Sequence, residues 1–212
     1  MATALQDIHH SPYIWRGKER SRRNTHFITS GINSIDQAIG GWPLGALIEF
    51  TSKQVGVGEF SLLTPALKKL SQQDKWIALI CPPYIPYAPA LSTKGIDIKK
   101  ILVIATSNTS DTAWAMDQAI SSKSCSAVVG WFSFVTEKIL RRLQLAIDTQ
   151  ETLGAYFINT ESAPRNVPTP WRITVDGKCD QTIINITKRR GGMPISALAT
   201  AHPVIQECCG SV

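Results

Sequence analysis

The chain has 212 residues, of which 43% are hydrophobic, and a formal net charge of +6. These values are typical of one globular domain, and no apolar run approaches the roughly 18 residues that a membrane-spanning helix needs. The first residues lack the charged-then-apolar order of a secretory signal, so we expect a cytoplasmic protein. Five cysteines without C-x-x-C spacing indicate reduced thiols rather than disulfides or a metal site.

Residues 1–26 are polar and basic, and they are predicted to form a flexible N-terminal arm. Within this arm, Trp15 and Arg16 are an aromatic–basic pair of the kind that anchors a protein partner or stacks on single-stranded DNA. Docking of the arm onto its own domain is the alternative interpretation. The sequence leaves both open.

From about residue 34, short apolar segments alternate with stretches of helical periodicity. Such alternation predicts β-α-β units, and therefore a mostly parallel sheet with helices on both faces. The predicted strands are 46–50, 76–81, 101–105, 127–131 and 155–158. The predicted helices are 59–70, 111–121 and 136–149, with Pro65 expected to fray or kink the first turns of the first helix.

The last third of the chain has a different pattern. Residues 171–175 and 182–187 alternate like strands around a turn at Asp176-Gly177-Lys178, which predicts an antiparallel hairpin at the end of the sheet. Residues 191–212 are expected to be a flexible tail, so the predicted domain spans residues 27–190.

The segment after the first buried strand is related to a phosphate-binding loop. In a RecA-type core this strand leads into a G-x-x-x-x-G-K-[ST] loop that holds nucleotide phosphates. Here Gly56 and Gly58 are present, but Glu59 follows them in place of the Lys-Ser/Thr pair. A carboxylate at the start of a helix is favoured by the helix dipole, yet it repels a phosphate from the same place.

Two acidic residues that ATP hydrolysis requires are also missing from the expected positions. The strand that should end in a metal-binding acid leads into Trp131-Phe132-Ser133, and the segment that should carry the water-activating acid is Pro82-Pro83-Tyr84-Ile85-Pro86-Tyr87. The four histidines lie in the predicted tails or entry loop. We therefore predict a protein without catalytic activity, cofactor or metal, on a degenerate RecA-like three-layer core.

Several segments resemble the ImuA family, the RecA-like accessory proteins of bacterial damage-induced mutagenesis. The resemblance covers most of residues 14–192, in order. It is carried by Ile14-Trp15-Arg16-Gly17, Gly40-Gly41-Trp42-Pro43-Leu44-Gly45, Pro82-Pro83-Tyr84-Ile85-Pro86-Tyr87-Ala88-Pro89-Ala90-Leu91, Leu140-Arg141-Arg142-Leu143-Gln144-Leu145-Ala146 and Lys188-Arg189-Arg190-Gly191-Gly192.

This resemblance implies a non-catalytic adaptor in SOS-induced, error-prone translesion DNA synthesis. Its implied partners are an ImuB-like inactive Y-family polymerase homologue, an error-prone replicative-type polymerase and RecA, with single-stranded DNA as a possible ligand. The SulA division inhibitors resemble a shortened form of the same fold, and the chain shares the Trp76 strand and the Gly130-Trp131 strand end with them. That second resemblance implies a division inhibitor that binds the filament-forming GTPase FtsZ.

Two further groups are candidate contact residues. Tyr84 and Tyr87 lie between prolines and are suited to a recognition surface, with packing over the end of the sheet as the alternative. Lys188, Arg189 and Arg190 follow a predicted strand and are suited to contact phosphates or an acidic partner, with a solvated strand end as the alternative.

Overall fold

An eight-stranded mixed sheet organises the protein. A computed structural model describes residues 26–53, 58–164, 168–178 and 181–201. The strands of the described part are β1 (Phe27–Ile28), β2 (Trp42–Pro43), β3 (Ala46–Ser52), β4 (Trp76–Ile80), β5 (Ile101–Ile104), β6 (Cys125–Phe132), β7 (Leu153–Asn159), β8 (Trp171–Lys178), β9 (Gln181–Lys188) and β10 (Ile195–Ala201). The α-helices are α1 (Asn33–Ile39), α2 (Thr64–Ser71), α3 (Ala88–Thr93), α4 (Thr109–Ser121) and α5 (Glu137–Ile147), and 3-10 turns lie at Phe60–Leu62 and Ile98–Lys100.

The strand order of the main sheet is β10-β9-β8-β3-β7-β6-β4-β5, while β1 and β2 form a separate antiparallel pair. Strands β8, β3, β7, β6, β4 and β5 are parallel to their neighbours in this order, and β8-β9 and β9-β10 are antiparallel. The prediction of a mixed α/β fold with a mostly parallel sheet and an antiparallel end is therefore confirmed.

Each face of the sheet supports its own hydrophobic core. The front face is covered by α1, α2 and α3, which contribute Ile35, Leu67 and Leu91 to one cluster of buried side chains. The back face is covered by α4 and α5, which contribute Met116 and Leu143 to a second cluster. Because parallel strands are buried on both faces, their sequences are continuous apolar runs rather than alternating patterns.

Close packing against the back face requires glycine at one point of β6. A Cβ atom at Gly130 would overlap the Sδ atom of Met116 on α4. A second glycine, Gly41, has φ of 115° and lies so close to the Ile28 carbonyl that a Cβ would meet its oxygen. Gly41 therefore sets the tight approach of β2 to β1, and it positions Trp42 on the front face.

Several element boundaries differ from those predicted from the sequence. Pro65 does not kink the interior of a long helix, because the helix begins at Thr64 and the proline occupies its first turn, where no amide donor is lost. α4 begins at Thr109 instead of residue 111, and it is capped by Asn108, whose side chain accepts a hydrogen bond from the Asp111 amide. β7 begins at Leu153, two residues before the predicted start of that strand.

The C-terminal end of the sheet is longer than expected. β8 continues through Asp176-Gly177-Lys178, so the hairpin connection follows Lys178 instead of lying at the predicted turn. β10 lies in the segment that the sequence analysis assigned to a flexible tail. It pairs with β9 with a register shift between Ile195 and Leu198, and this irregularity weakens the period-two pattern in the sequence.

Candidate functional site

A crevice lies at the carboxyl ends of β3, β4, β6 and β7. The connection after β4 leads to α3 on the front face, whereas the connection after β6 leads to α5 on the back face. Diverging connections of this kind open a crevice at the strand ends of an α/β sheet. Here the crevice consists of two neighbouring clefts.

The first cleft, which we call the hydroxyl cleft, has a volume of about 380 Å³. Small polar side chains form much of its wall, and Phe132 and Phe157 add apolar surface. Two of the polar groups bond to each other, since Thr106 Oγ1 and Thr112 Oγ1 lie 2.7 Å apart. The polar side chains that line it are Ser52, Glu59, Cys81, Thr106, Ser107, Asn108, Thr109, Thr112, Ser133 and Asn159.

The second cleft, the tyrosine cleft, has a volume of about 370 Å³ and is largely apolar. Its outer wall is the segment 82–87, in which Tyr84, Ile85 and Tyr87 are 78%, 92% and 72% exposed. Its floor includes Leu79 and Leu91 of the front core. Large, contiguous apolar side chains held in solvent by prolines are typical of a protein-interaction surface.

Tyr84 and Tyr87 lie on the same exposed wall of the tyrosine cleft, and their contact with a partner stays a prediction. The packing alternative, in which these rings cover the sheet end, does not match exposures of this size. The restricted backbone of Pro82, Pro83 and Pro86 limits the conformations of the wall, which lowers the entropy cost of binding a partner.

Glu59 lies where the two clefts meet. It is shared by both linings together with Pro83 and Trp131, and only 8% of the residue is exposed. Trp131 ends a row of aromatic rings on the front face, with centroid distances of 5.2 Å to Phe157 and 5.7 Å to Phe60. These ring contacts hold Trp131 in place between the two clefts.

Glu59 precedes the 3-10 turn Phe60–Leu62, which is followed by α2. The predicted helix 59–70 therefore begins later than expected, and a 3-10 turn connects Glu59 to it. Gly58 has φ of 87°, a conformation that favours glycine. Gly56 lies outside the described residues.

The basic residues at the end of β9 have different neighbours. Arg189 is used within the fold, since its Nε donates to the Met193 carbonyl at 2.7 Å and its Nη1 to the Ala38 carbonyl at 3.3 Å. Arg190 Nη1 lies 3.9 Å from Asp148 Oδ1. Burial, reinforced by the nearby Arg172 guanidinium, lowers the pKa of Lys188. Contact of these residues with phosphates or an acidic partner stays a prediction.

Sequence reasoning missed a buried ionic cluster on the back face. Glu49 of β3 is fully buried and accepts two hydrogen bonds from Arg172 of β8, at 2.5 Å from Nε and 3.2 Å from Nη2. Arg172 Nη2 also donates to the Pro164 carbonyl at 2.6 Å. The pKa of the neighbouring Tyr156 is strongly raised by burial and, to a smaller extent, by the Glu49 carboxylate. The sequence signal for this cluster was one charged residue within each of two strands, Glu49 in β3 and Arg172 in β8.

Trp15 and Arg16 lie outside the described residues. Within the part of the chain that the structure covers, no three His, Cys, Asp or Glu side chains are grouped as a metal site would require. None of the helices described there combines the length and apolar character needed to cross a lipid bilayer.

Comparison with known proteins finds similarity to cell division inhibitors. The model of the family described as "Cell division inhibitor SulA" matches residues 46–154. A SulA of Serratia proteamaculans is 25% identical over 140 residues, which cover 65% of this chain and 83% of the relative. A SulA of Yersinia pestis is 30% identical over 110 residues, covering 52% of this chain and 66% of the relative. The crystal structure of SulA from Pseudomonas aeruginosa aligns with a TM-score of 0.45 and 21% identity, over 53% of this chain and 97% of that one.

Proposed function

The chain belongs to the SulA family, and we propose that it inhibits cell division by binding FtsZ through the exposed wall of the tyrosine cleft. Two features support this proposal. The match to the family of division inhibitors spans residues 46–154, and that range contains the exposed Tyr84, Ile85 and Tyr87. Aromatic side chains such as Tyr84 and Tyr87 are enriched in the cores of protein–protein interfaces.

The expectation of an ImuA-type adaptor is wrong. The family model and the curated relatives are SulA division inhibitors, and the translesion role rested on shared short segments. The implied partners of that role, an ImuB-like protein, an error-prone polymerase and RecA, have no support from these matches. Induction in the SOS response is compatible with either family.

An inhibitor that acts by binding single FtsZ subunits must be present in about the same molar amount as FtsZ to inhibit it fully. Purified protein is therefore expected to stop FtsZ GTP hydrolysis and polymerisation at a molar ratio near one, and to have little effect far below it. GTP turnover and sedimentation of polymer, measured across a titration, test this expectation. Unchanged turnover at a several-fold excess of the protein would contradict the proposed function.

We also propose that the loop before α2 is a RecA-type phosphate loop that no longer holds nucleotide. Support comes from the sequence, in which Glu59 replaces the Lys-Ser/Thr pair, and from its position between the two clefts, where a carboxylate opposes an anionic ligand.

ATP with magnesium is expected to give no thermal shift and no hydrolysis. Micromolar binding by calorimetry would overturn this proposal. The Glu59→Lys variant should remain inactive, because the metal-binding and water-activating acids are missing as well.

A further inference from the structure

We propose that the protein forms a symmetric dimer in which β5 pairs antiparallel with β5 of a second copy, with Val103 opposite Val103 at the two-fold axis. The pairing continues the eight-stranded sheet from one copy into the other. It does not rest on the proposed binding of FtsZ, because β5 lies outside the lining of the tyrosine cleft.

The outer edge of β5 is an open template for another strand. β5 is the last strand of the sheet on the side opposite β10, and its four residues Ile101–Ile104 are all aliphatic. Leu102 and Val103 are each 45% exposed, although they point to opposite faces of the sheet. The strand pairs with β4 without a register shift, and it contains no charge or proline that would discourage a second neighbour.

The opposite edge of the sheet is protected. β10 pairs with β9 through a register shift between Ile195 and Leu198, and Ala197 between them has φ of 60°. Irregularities of this kind are a common means of preventing edge-to-edge pairing. Of the two edges, β5 is therefore the one suited to strand addition.

The backbone of Val103 is directed away from the sheet. The Cys81 amide donates to the Ile104 carbonyl at 2.7 Å, so Ile104 faces β4. Because successive residues of a strand direct their N–H and C=O groups to opposite sides, Val103 and Ile101 face outward. The Ile101 amide is already used, since it donates to the Ile98 carbonyl. In the described sheet no strand lies on that side to pair with the amide and carbonyl of Val103.

These orientations select one antiparallel register. With the two-fold axis at Val103, each Val103 amide donates to the Val103 carbonyl of the second copy. A shift of the axis to Leu102 would direct the Val103 carbonyl at the Ile101 amide, which is already occupied. The register centred on Val103 therefore satisfies more of the outward backbone groups.

The same register matches apolar side chains across the axis. On the front face, Val103 lies beside Val103 of the second copy, and Ile101 lies opposite Ala105. On the back face, Leu102 lies opposite Ile104. Ile101 and Ile104 already contact the front and back cores of their own copy, so these pairs extend both cores. The strand is thus complementary to itself, as a two-fold interface requires.

The charges beside β5 favour a second copy over an acidic segment of another protein. The register places Lys99 and Lys100 opposite Ser107 and Thr106 of the second copy, so no two cations meet. Lys100 is also paired within its own chain, with Nζ 2.7 Å from Asp74 Oδ1. β5 itself carries no charge that would select an acidic strand.

Molar mass from light scattering, measured over a concentration series in the presence of a reductant, tests the pairing without FtsZ. The interface is small, so the wild type is expected to dimerise with a dissociation constant in the micromolar range. Val103→Lys should raise this constant about a hundredfold, because it places two cations opposite each other at the axis. Val103→Glu should do the same. An equimolar mixture of the two variants should dimerise again, since unlike charges then face each other.

Trp114→Lys is the matched control, because it introduces the same charge at an exposed ring of α4, and it should leave the dimer intact. Thermal midpoints of the Val103 variants should stay near that of the wild type, since the side chain is half-exposed.

A wild type that remains monomeric at several hundred micromolar would overturn the proposal, as would a dimer that persists in Val103→Lys. Two monomeric variants whose mixture does not dimerise would show that Val103 does not face Val103. A monomeric wild type whose inhibition of FtsZ is lost in Val103→Lys would assign this edge to FtsZ instead of a second copy.

Discussion

Replacing both Tyr84 and Tyr87 with Ser is expected to raise the amount of protein needed to inhibit FtsZ by several hundredfold. The two rings are 78% and 72% exposed, so the folded chain loses few contacts when they are removed. At an interface, however, each aromatic anchor contributes about 2 kcal/mol, and two such losses correspond to about 4 kcal/mol of binding free energy. The expected result is a variant that folds normally and does not inhibit.

GTP hydrolysis by FtsZ, titrated with wild type and variant, gives the concentration for half inhibition. The thermal midpoint of the variant should stay within about 2 °C of wild type, since surface substitutions of this kind change stability by about 0.5 kcal/mol or less. Trp114→Ser is the matched control, because its ring is 62% exposed but lies on α4 at the back face. Equal inhibition by the double variant and wild type would place the interface elsewhere on the protein.

The predicted elements with strong local signals agree with the structure. The buried strands and amphipathic helices between residues 46 and 159 are where periodicity indicated them, because burial on both faces imposes continuous apolar runs and a helical stripe. The boundaries were less predictable. α4 begins at Thr109 instead of residue 111, and β10 follows an irregular register that removes the alternation expected of a strand.

The candidate site was predictable in part. The sequence around Tyr84 and Tyr87 left a recognition surface and packing over the sheet end both open; the two rings are exposed, and their contact with a partner stays a prediction. The position of Glu59 between the two clefts depends on three loops that are distant in sequence, so no local pattern reveals it. The resemblance to ImuA rested on segments such as Leu140-Arg141-Arg142-Leu143, and such helical segments also serve the buried core of this fold, with Leu140 and Leu143 fully buried.

The buried pair of Glu49 and Arg172 is expected to give the largest effect on stability. Arg172→Met should lower the free energy of unfolding by about 3–5 kcal/mol, because it leaves the fully buried Glu49 carboxylate without the guanidinium that donates to both of its oxygens. It also removes the donor to the Pro164 carbonyl. Urea denaturation of the two proteins measures the difference.

A second substitution separates the charge from the packing. Adding Glu49→Leu to Arg172→Met removes the stranded carboxylate, and it should recover most of the lost stability, because replacing both members of a buried pair by apolar groups is often close to neutral. Arg142→Met is the matched surface control. Arg142 Nε lies 3.7 Å from Asp117 Oδ2 with side chains 52% and 23% exposed, so its loss should cost about 1 kcal/mol or less. If the double variant is as unstable as Arg172→Met alone, the stability comes from the shape of the arginine side chain and its bond to Pro164, and the ionic explanation is wrong.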